Sequence, residues 1–509
     1  MLRVRQCARL KSTLAAVAPE IPASLSAIPT APESGFGPFR CSLAFFGKDN
    51  GLGRHHERFD TLHKMLGPIY KFRVLPFSPY MVSICDQLSV AHVYRKEGAF
   101  PERFSLACWR LHRREKQWPI GIVNAHNHEE WKKFRASMSE HILQPHNITT
   151  WLPRLNDVAK DFATRLAADA ASSDTVNVAL PLKAFGLESV SAIVFGKRMG
   201  CLSPDPSTPV PPDAQKFIDA FFGVLHTSQD MLNFPQETPD WIYKLLPVYK
   251  AFVKHADYIF DVGSAFVLEK MAARDNSIVD QDLLSVFLAR PEFSQRDAVA
   301  QAVDLLFASV DTTGTALLWV TYCLATSPNG REIQIKMRDE ANAALAGKTD
   351  IDDAALEQLS YIRAVVKETL RLYPVANPNQ RVLPNDLTLL GFTIPKGTSV
   401  LMQTYTMSRD PTVFEDPEAF KPERWLERDG KTASQRQAAA YSTLPFGLGA
   451  RGCAGRRLAE TEMYMLLAHL VRKMELQWPE DQAHPNAIIK TFMMPDKEFQ
   501  LRLVPWSTS

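Results

Sequence analysis

The sequence lacks the features that are typical of disulfide-rich, nucleic-acid-binding and membrane-spanning proteins. It has seven cysteines in 509 residues, scattered and without a Cys-x-x-Cys pair, which argues against a disulfide framework or a zinc ribbon. Basic residues exceed acidic ones by only 58 − 56 = 2, so bulk charge does not attract nucleic acid. No run approaches the ~20 consecutive apolar residues that span a membrane. The remaining composition, 46% hydrophobic and 22% charged, is that of a globular protein.

The N-terminal residues differ in composition from the rest of the chain. Residues 1–18 interleave arginine and lysine with leucine, valine and alanine and contain no acidic residue, which is typical of a mitochondrial transit peptide; a basic tail without a targeting role is the alternative. Residues 19–38 are rich in proline, serine and alanine and predict a linker. We therefore expect residues 1–40 to be a transit peptide with a Pro-rich linker, and residues 41–509 to form a single domain.

Hydrophobic periodicity predicts a mainly α fold with small β-sheets. Apolar residues recur at three- and four-residue spacing, which indicates helices, in residues 154–170, 212–226, 252–274, 295–326, 353–372 and 455–473. Strand-like stretches are short and lie at 69–75, 80–85, 387–395 and 398–404. Ser294 and Asp297 form a capping-box pattern at the start of a long central helix, and the sequence SPNG at 327–330 ends it.

One cysteine lies within a glycine-rich loop, LPFGLGARGCAGRRLAE, at residues 444–460. Gly449, Gly452 and Gly455 permit tight turns and the close approach of a flat group. Backbone N–H groups at the start of the following helix can stabilise a charged sulfur. Cys453 is therefore a candidate metal ligand, and a buried structural cysteine is the alternative.

The residues around this cysteine form a family signature. They match Phe-x-x-Gly-x-Arg-x-Cys-x-Gly through Phe446, Gly449, Arg451, Cys453 and Gly455. This is the haem-binding motif of the cytochrome P450 superfamily, which the chain strongly resembles. The resemblance implies the cytochrome P450 fold, in which haem b lies between the long central helix and the cysteine loop, with the Cys453 thiolate as axial ligand of iron.

Other motifs resemble the family in the same order along the chain. Glu368 and Arg371 in KETLRLYP, with Arg424 in PERW, resemble a buried ion network that supports the haem loop; an exposed salt bridge is the alternative for a Glu-x-x-Arg pair alone. Positions that bind the haem propionates in the family are matched by Trp131, Arg135, Arg381 and Arg451. The resemblance thus implies structural roles for the first set and cofactor binding for the second.

The central helix carries FASVDTTGTAL at 307–317, which resembles the oxygen-activation motif of the family. Ala308, Asp311 and Thr312 match that motif, and Ser309 stands where glycine is usual. The resemblance implies a local opening of the helix beside the haem, with Asp311 and Thr312 as catalytic residues that deliver protons to dioxygen. It implies a monooxygenase; a haem-thiolate isomerase or dehydratase and a non-catalytic haem or sterol carrier are alternatives that the Asp-Thr pair disfavours.

Residues 100–135 resemble the mitochondrial clan of the family. The matching residues are Pro101, Arg103, Trp109, Arg113, Gly121, Trp131 and Arg135. His112 and His128 depart from the clan, which has tyrosine and glycine there. The resemblance implies electrons from an acidic [2Fe-2S] ferredoxin and its NADPH-dependent reductase. Basic residues near the cysteine face are candidates for its docking, with a solvated surface as the alternative: Arg363, Lys367, Arg456 and Arg457.

Residues 217–260 mix aromatic and aliphatic side chains with lysines, which fits either an interfacial helix that contacts a membrane or a core helix above the pocket. We expect peripheral contact with the matrix side of the inner mitochondrial membrane. The resemblance favours a sterol, steroid or secosteroid as the apolar substrate, with xenobiotic oxidation by a mitochondrial or microsomal enzyme as the alternative. His55, His56, His126 and His128 have no accompanying carboxylate or cysteine set and are expected to be solvated loop residues.

Overall fold

The computed structural model describes residues 23–35, 40, 42, 53–76, 78–103, 105–125, 128–142, 144–232, 234, 238–272, 282–426 and 432–506. The predicted transit peptide lies outside the described residues. A large hydrophobic core is built mainly from helices, and two smaller clusters lie beneath the β-sheet near the N-terminal end.

The helices are α1 (His55–Leu66), α2 (Gln87–Lys96), α3 (Ala107–Glu115), α4 (Gly121–Asn124), α5 (His128–His141), α6 (Pro145–Ser172), α7 (Ala179–Val194), α8 (Pro212–Met231), α9 (Asp240–Leu245), α10 (Pro247–Ala272), α11 (Leu283–Ala289), α12 (Gln295–Thr326), α13 (Gly330–Leu345), α14 (Asp353–Gln358), α15 (Ser360–Leu372), α16 (Thr404–Met407), α17 (Ala433–Ser442) and α18 (Arg456–Lys473). Short 3₁₀ turns occupy Leu25–Ala27 and Pro422–Trp425.

The strands are β1 (Ile69–Phe72), β2 (Met81–Ile84), β3 (Val176–Asn177), β4 (Asn379–Val382), β5 (Leu387–Leu389), β6 (Phe392–Ile394), β7 (Ser399–Met402), β8 (Met474–Gln477), β9 (Ala487–Ile489), β10 (Met493–Pro495) and β11 (Gln500–Pro505). The largest sheet has the order β1-β2-β7-β4, in which β2 and β7 are parallel and the other pairs antiparallel. The predicted mainly α architecture with small sheets is therefore the observed one.

The central helix, α12, begins and ends where the sequence predicts. Ser294 Oγ accepts a hydrogen bond from the Asp297 backbone N–H, and Asp297 accepts one from the Ser294 backbone N–H at 2.8 Å. The helix ends at Thr326, before the SPNG turn. Gly186 of α7 allows a close crossing, because a Cβ atom there would lie 3.2 Å from the Val310 carbonyl oxygen. The central helix is thus held firmly between its neighbours.

Among the described residues, α12 is the helix whose length and composition resemble those of a membrane-spanning segment. It is long and apolar enough to cross a membrane by composition, but 83% of its most apolar window is buried inside the protein. Buried aspartates interrupt its apolar residues, which is why no unbroken run is visible in the sequence. The helix is a core element of this fold.

The expected linker is wrong for the residues that the structure describes. Ile28 and Ala31 are buried in the sheet-side clusters, and the Ala31 backbone N–H donates to the Lys71 carbonyl at 2.8 Å. The Lys71 ammonium donates to the carbonyls of Leu25 and Ser26 at 2.9 and 2.7 Å. Packed structure therefore begins well before residue 40, because β1 supplies partners for this proline-rich backbone.

Two predicted elements are each divided in two. The helix expected at 353–372 breaks at Leu359, where the Glu340 carboxylate accepts from the backbone N–H groups of Tyr361 and Ile362 and caps α15. The strand expected at 387–395 is the β5–β6 hairpin, because Leu390 and Gly391 take positive φ and reverse the chain.

Candidate active site

The glycine-rich loop presents Cys453 at the start of α18. Gly447 and Gly449 have φ values of +64° and +75°, and the Cys453 backbone N–H donates to the Phe446 carbonyl at 2.8 Å. Gly452 closes a turn, because its backbone N–H donates to the Gly449 carbonyl at 3.0 Å, and Gly455 is the N-cap of α18. The glycines with positive φ are Gly447, which lies outside the three that were predicted, and Gly449.

The Cys453 sulfur faces an interior recess. Its side chain is accessible, yet burial raises the pKa of its thiol, an effect opposed by the Gly455 backbone N–H and by the Arg135 and Arg103 guanidiniums. Accessible area together with strong desolvation places the sulfur in a concavity of the protein rather than on its outer face. Backbone and cationic groups that favour the thiolate are what a thiolate metal ligand requires.

Arginines gather around this recess. Arg135 donates to the Gly452 carbonyl at 2.9 Å, and Arg381 donates to the Leu448 carbonyl at 3.1 Å. Arg451 donates to the carbonyls of Pro101 and Ala125 at 3.0 and 2.7 Å. Its guanidinium also lies 4.5 Å from the centre of the Trp131 ring. The structure therefore brings together Cys453 and the four residues predicted to bind propionates.

Arg103 completes this arginine cluster, which we define as Arg103, Arg135, Arg381 and Arg451. Burial and the neighbouring guanidiniums lower the pKa of Arg451 to about 9 and that of Arg103 to about 10. Among the described residues, Glu97 is the carboxylate that bonds to a member of the cluster, through Arg381. The cluster thus carries more positive than negative charge. Arg103 was visible as part of the clan pattern but was not assigned to the site.

This donor set fits a haem. The group carries two propionate carboxylates, and a cluster of four guanidiniums with one bonded carboxylate has the charge to accept them. Cys453 supplies the sulfur that an iron atom accepts as a thiolate ligand. The residues present therefore satisfy both ends of the cofactor: the iron through Cys453, and the propionates through the arginine cluster with Trp131.

The oxygen-activation segment lies on an otherwise buried helix. Ala308 is exposed, and Ser309 and Thr312 are half-buried, whereas most of α12 on either side is buried. Ser309 Oγ donates to the Leu305 carbonyl at 2.7 Å, and Thr312 Oγ1 donates to the Ala308 carbonyl at 2.7 Å. α12 is continuous through this segment, and both hydroxyls bond back to carbonyls of the preceding turn, a contact that often bends a helix. The local opening of the helix stays a prediction. Each hydroxyl oxygen keeps lone pairs with which it can accept a further hydrogen bond.

Asp311 is a buried carboxylate beside the accessible segment. Burial raises its pKa, while the Lys183 ammonium, 3.9 Å away, and His226 oppose the shift. A carboxyl group with a raised pKa keeps its proton closer to neutral pH, which is the property of a proton donor. No contact in the described structure joins Asp311 or Thr312 directly to Cys453.

The Glu-x-x-Arg pair lies in a buried ion network. Arg371 donates to both Glu368 carboxylate oxygens at 2.9 and 2.8 Å, and Arg424 donates to Glu368 at 2.9 Å. The Trp425 indole N–H and the Lys421 backbone N–H donate to the same carboxylate at 2.9 and 3.0 Å. Glu368 therefore accepts five hydrogen bonds, which excludes the alternative of an exposed salt bridge.

The four candidate docking residues have different surroundings. Lys367, Arg456 and Arg457 are exposed, and Arg363 is half-buried. Arg363 donates to the Leu356 carbonyl and lies over the Tyr464 ring, while Arg456 pairs with Glu460 at 3.0 Å. Arg363 and Arg456 both act electrostatically on Tyr464. The structure thus brings α15 and the start of α18 together around that tyrosine.

Aromatic side chains from α3 and α8 pack against Phe307, which directly precedes Ala308 on the central helix. Phe307 stacks on Phe221 with ring centres 4.5 Å apart and meets Trp109 edge-on at 4.8 Å. The Trp109 indole N–H donates to Ser228 at 2.9 Å, which ties α3 to α8. Such a group suits an apolar substrate.

Arg113 and Asp304 fasten the loop after α3 to the central helix. Both side chains are buried and form an ion pair, and Asp304 accepts from the Val123 backbone N–H at 3.1 Å. Gly121 is required here, because a Cβ atom would lie 2.3 Å from the Asp304 carboxylate. The clan residues Arg113 and Gly121 are therefore parts of one contact.

The histidines require one correction. His56 is buried in α1 against Tyr405, with ring centres 4.6 Å apart, so it is a core residue and not a solvated one. His55 is half-buried and His128 is exposed; His126 lies outside the described residues. His112 is also buried and bonds to Asp257 at 2.9 Å, so the histidine at this position has a polar partner. Within the described ranges, no group of three metal-ligating side chains is present.

Comparison with known proteins gives one family. The cytochrome P450 family model matches residues 32–503. A solved structure described as the cytochrome P450DA heme domain superposes with a TM-score of 0.76, at 18% sequence identity, covering 96% of this chain and 99% of that one. At that identity the likeness establishes the fold, and the predicted fold class is confirmed.

Curated relatives are similar over most of their length. Sterol 26-hydroxylase, mitochondrial, of Oryctolagus cuniculus is 31% identical over 465 residues, which cover 89% of this chain and 84% of that protein. The 25-hydroxyvitamin D-1 alpha hydroxylase, mitochondrial, of Mus musculus is 32% identical and covers 89% of both chains. Cholesterol side-chain cleavage enzyme, mitochondrial, of Bos taurus is 30% identical and covers 97% of this chain and 92% of that protein.

Proposed function

Because this chain belongs to the cytochrome P450 family, we propose that it is a mitochondrial haem-thiolate monooxygenase that hydroxylates a sterol, steroid or secosteroid. The resemblance seen in the cysteine motif is confirmed by the family match. The family uses haem with a cysteine thiolate ligand, and the relatives described above are named as hydroxylases or as a side-chain cleavage enzyme. The observation that carries the proposal for this site is the positively charged arginine cluster beside Cys453, which has the chemistry to bind an anionic haem.

Different residues would bind the iron and the propionates of the haem. Cys453 would hold the iron, the arginine cluster and Trp131 would hold the propionates, and Phe446 contacts Cys453 through its backbone carbonyl. A bound haem with a thiolate ligand would supply the oxidising chemistry, in which dioxygen, two electrons from the reductant and two protons yield one hydroxyl group on the substrate and one water.

Asp311 and Thr312 are proposed to move protons to the oxygen site. Asp311 can retain a proton because burial raises its pKa. The Thr312 hydroxyl is anchored on the Ala308 carbonyl, which fixes its position while its lone pairs remain available to accept. This arrangement is of no use to a haem carrier or to an isomerase that works without reductant.

The names of the relatives and the apolar aromatic group on α3, α8 and α12 both favour a sterol-like substrate. The relatives described above are named for sterol, vitamin D and cholesterol reactions, and the Trp109–Phe221–Phe307 group is apolar. We therefore place a rigid, largely apolar substrate against this group, below α8. Oxidation of xenobiotics is the second candidate, because the same surface would accept other apolar molecules.

The mitochondrial location is supported by relatives that are named as mitochondrial enzymes. We propose that residues 1–18 belong to a cleaved transit peptide, that the chain from the packed segment around Ile28 onward is one haem domain, and that it lies on the matrix side of the inner membrane. Peripheral contact is assigned to α9, where Trp241 and Leu245 are 64% and 65% exposed. These residues are four apart, so they share one face of the helix.

The proposed electron donor is an acidic [2Fe-2S] ferredoxin that docks on Arg363, Lys367, Arg456 and Arg457. Two observations support this proposal: Arg456 and Arg457 begin α18 directly after the cysteine loop, and Arg363 and Arg456 both act electrostatically on Tyr464. Exposed arginine and lysine attract an acidic surface over a range of about 10 Å at 0.1 M salt.

Product formation tests the reaction. The haem-loaded enzyme should convert a sterol to a hydroxylated product with nearly one product per reductant consumed. Thr312→Ala should bind haem and substrate normally but divert electrons to peroxide, because the oxygen site loses its positioned hydroxyl. Unchanged coupling in Thr312→Ala would remove Thr312 from the mechanism, and a wild-type enzyme that forms no oxygenated product would reject the monooxygenase.

A donor comparison tests the partner. Replacement of Arg363 and Lys367 by glutamine should slow reduction by ferredoxin and weaken its salt dependence, with substrate affinity unchanged. Lys197→Gln with Lys216→Gln is the matched control, because it removes the same charge from exposed residues of other elements. Efficient turnover with a diflavin reductase alone, and no response to the Arg363 and Lys367 replacements, would contradict the mitochondrial donor.

A further inference from the structure

The position of Glu97 is electrostatically unfavourable for a carboxylate that has no partners. It lies at the C-terminal end of α2, where the helix dipole disfavours a negative charge, and it is 4% exposed. A buried carboxylate persists only where hydrogen bonds and cations stabilise it. Its partners here come from distant parts of the chain, the cysteine loop and β4.

The first partner is the turn that leads to Cys453. Ala450 backbone N–H donates to Glu97 Oε1 at 2.8 Å. A Cβ atom on Gly449 would lie 1.9 Å from the same oxygen. The carboxylate therefore sits directly against Gly449, and glycine is required there both by its φ of +75° and by the lack of space.

The second partner is Arg381 of the arginine cluster. Arg381 Nε donates to Glu97 Oε2, while its Nη2 donates to the Leu448 carbonyl at 3.1 Å. Glu97 and Arg381 thus hold the backbone groups on either side of Gly449: the carbonyl of Leu448 and the N–H of Ala450. This pair fixes the turn from outside the loop.

The charge of Glu97 also matters for the cluster. Without it, four guanidiniums would lie together with no bonded carboxylate among the described residues. Glu97 lowers this excess, as its effect on the pKa of Arg451 indicates, since it opposes the shift caused by burial and by the other arginines. A charge change at this buried position is weakly screened by solvent.

We propose that Glu97 is a positioning residue for the haem-thiolate centre: it holds the Gly449 turn that presents Cys453, and its charge sets the electrostatic potential that the arginine cluster imposes on the haem. The inference rests on the proposed function, because it assigns Glu97 a role toward the haem bound there.

Two readouts on the haem-loaded full chain test the two roles. The first is the midpoint reduction potential of the haem iron, and the second is the rate at which the reduced carbon monoxide complex loses its thiolate-type absorption. Glu97→Gln removes the charge but keeps an oxygen that can accept from Ala450. Its potential should become more positive, because loss of a negative charge favours addition of an electron, and its decay rate should remain close to wild type.

Glu97→Ala removes both the charge and the acceptor. It should show the same direction of potential shift and lose the thiolate-type complex about tenfold faster, as expected when a charged hydrogen bond to the loop is lost. Gly449→Ala tests positioning without removing the charge, because its Cβ displaces the carboxylate; it should also accelerate the loss. If Glu97→Ala does not fold, Gly449→Ala still tests the positioning role and Glu97→Gln still tests the effect of the charge.

Glu102→Gln is the matched control. Glu102 is exposed and five residues away, so removal of its charge should leave both readouts at wild-type values. A Glu97→Gln potential equal to that of Glu102→Gln, or wild-type decay rates in Glu97→Ala and Gly449→Ala, would overturn the proposal. A wild-type protein that binds no haem, or whose reduced carbon monoxide complex lacks the thiolate signature, would instead reject the proposed function before any variant is compared.

Discussion

Replacement of Glu368 by glutamine should destabilise the protein strongly without changing its chemistry. Glu368 and Arg371 have no exposed side-chain area, and Arg424 is also bonded to this carboxylate. The amide keeps the shape of the side chain but leaves two guanidiniums without their counter-charge in the core. The variant therefore removes one partner of a buried ion network rather than the whole network.

The expected size follows from that burial. Removal of one partner of a buried ion pair costs about 3–5 kcal/mol, against at most about 1 kcal/mol for an exposed pair. With an unfolding entropy of about 2.1 cal/mol/K per residue, a domain of this size has about 1 kcal/mol/K in total. The unfolding midpoint should fall by about 3–5 °C.

Thermal unfolding of the haem-loaded protein at one scan rate measures this shift. Glu418→Gln is the control, because Glu418 pairs with Arg409 at 3.3 Å but is 73% exposed, and it should lower the midpoint by about 1 °C at most. Product per reductant consumed should be the same in both variants at a temperature where they are folded. A shift in Glu368→Gln no larger than in Glu418→Gln would refute the assignment of the network to stability.

Three further outcomes are expected. Cys453→His should lose the thiolate-type absorption of the reduced carbon monoxide complex, because imidazole supplies no anionic sulfur; retention of that absorption would show that Cys453 is not the ligand. Burial lowers the pKa of His63 to about 4, below its value of about 6.5 in an unfolded chain, so its contribution to stability is complete above about pH 6.5 and is lost as the pH falls toward 4. The free energy of unfolding of the wild type should be about 2 kcal/mol lower at pH 5 than above pH 6.5 because of His63. The unfolding midpoint of His63→Gln should therefore depend less on pH between 7 and 5 than that of the wild type; equal dependence would contradict this. Trp241→Ser with Leu245→Ser should weaken binding to vesicles by at least about tenfold, since each side chain buries apolar area worth about 1.5–3 kcal/mol, whereas Leu88→Ser should not; equal losses would remove α9 from the membrane contact.

Local patterns allowed much of the fold to be predicted. Ser294 and Asp297 cap the central helix with atoms three residues apart, so the capping box predicted its start correctly. Leu359 shows the limit of such patterns. The α15 cap comes from Glu340 on another helix, and periodicity within 353–372 contains no trace of it. The prediction of a linker in the N-terminal segment was wrong for the same reason, because the ammonium of Lys71, a residue distant in sequence, donates the hydrogen bonds that hold Leu25 and Ser26.

The candidate site, like the fold, was predicted only where its contacts are local in the sequence. Cys453 was found because its chemistry depends on residue identities within one short loop. Glu97 was not found, because its contacts reach 353 residues to Ala450 and 284 residues to Arg381. Nothing adjacent in the sequence marks a glutamate at a helix end as part of a cysteine site. The Pro-x-Arg pattern at Pro101 and Arg103, which follows Glu97 by a few residues, was used only to assign the clan.

The close crossing of α7 and α12 limits how this enzyme can change its preferences. A Cβ atom on Gly314 would lie 3.5 Å from the Lys183 backbone, and Gly186 meets Val310 more tightly still. The tight contact at Gly186 therefore leaves α12 little room to shift toward α7, so a bulkier substrate must be accommodated by changes in other elements, such as α3 and α8, which carry Trp109 and Phe221. Variants selected for new substrates should accumulate in α3 and α8, while Gly186 remains unchanged.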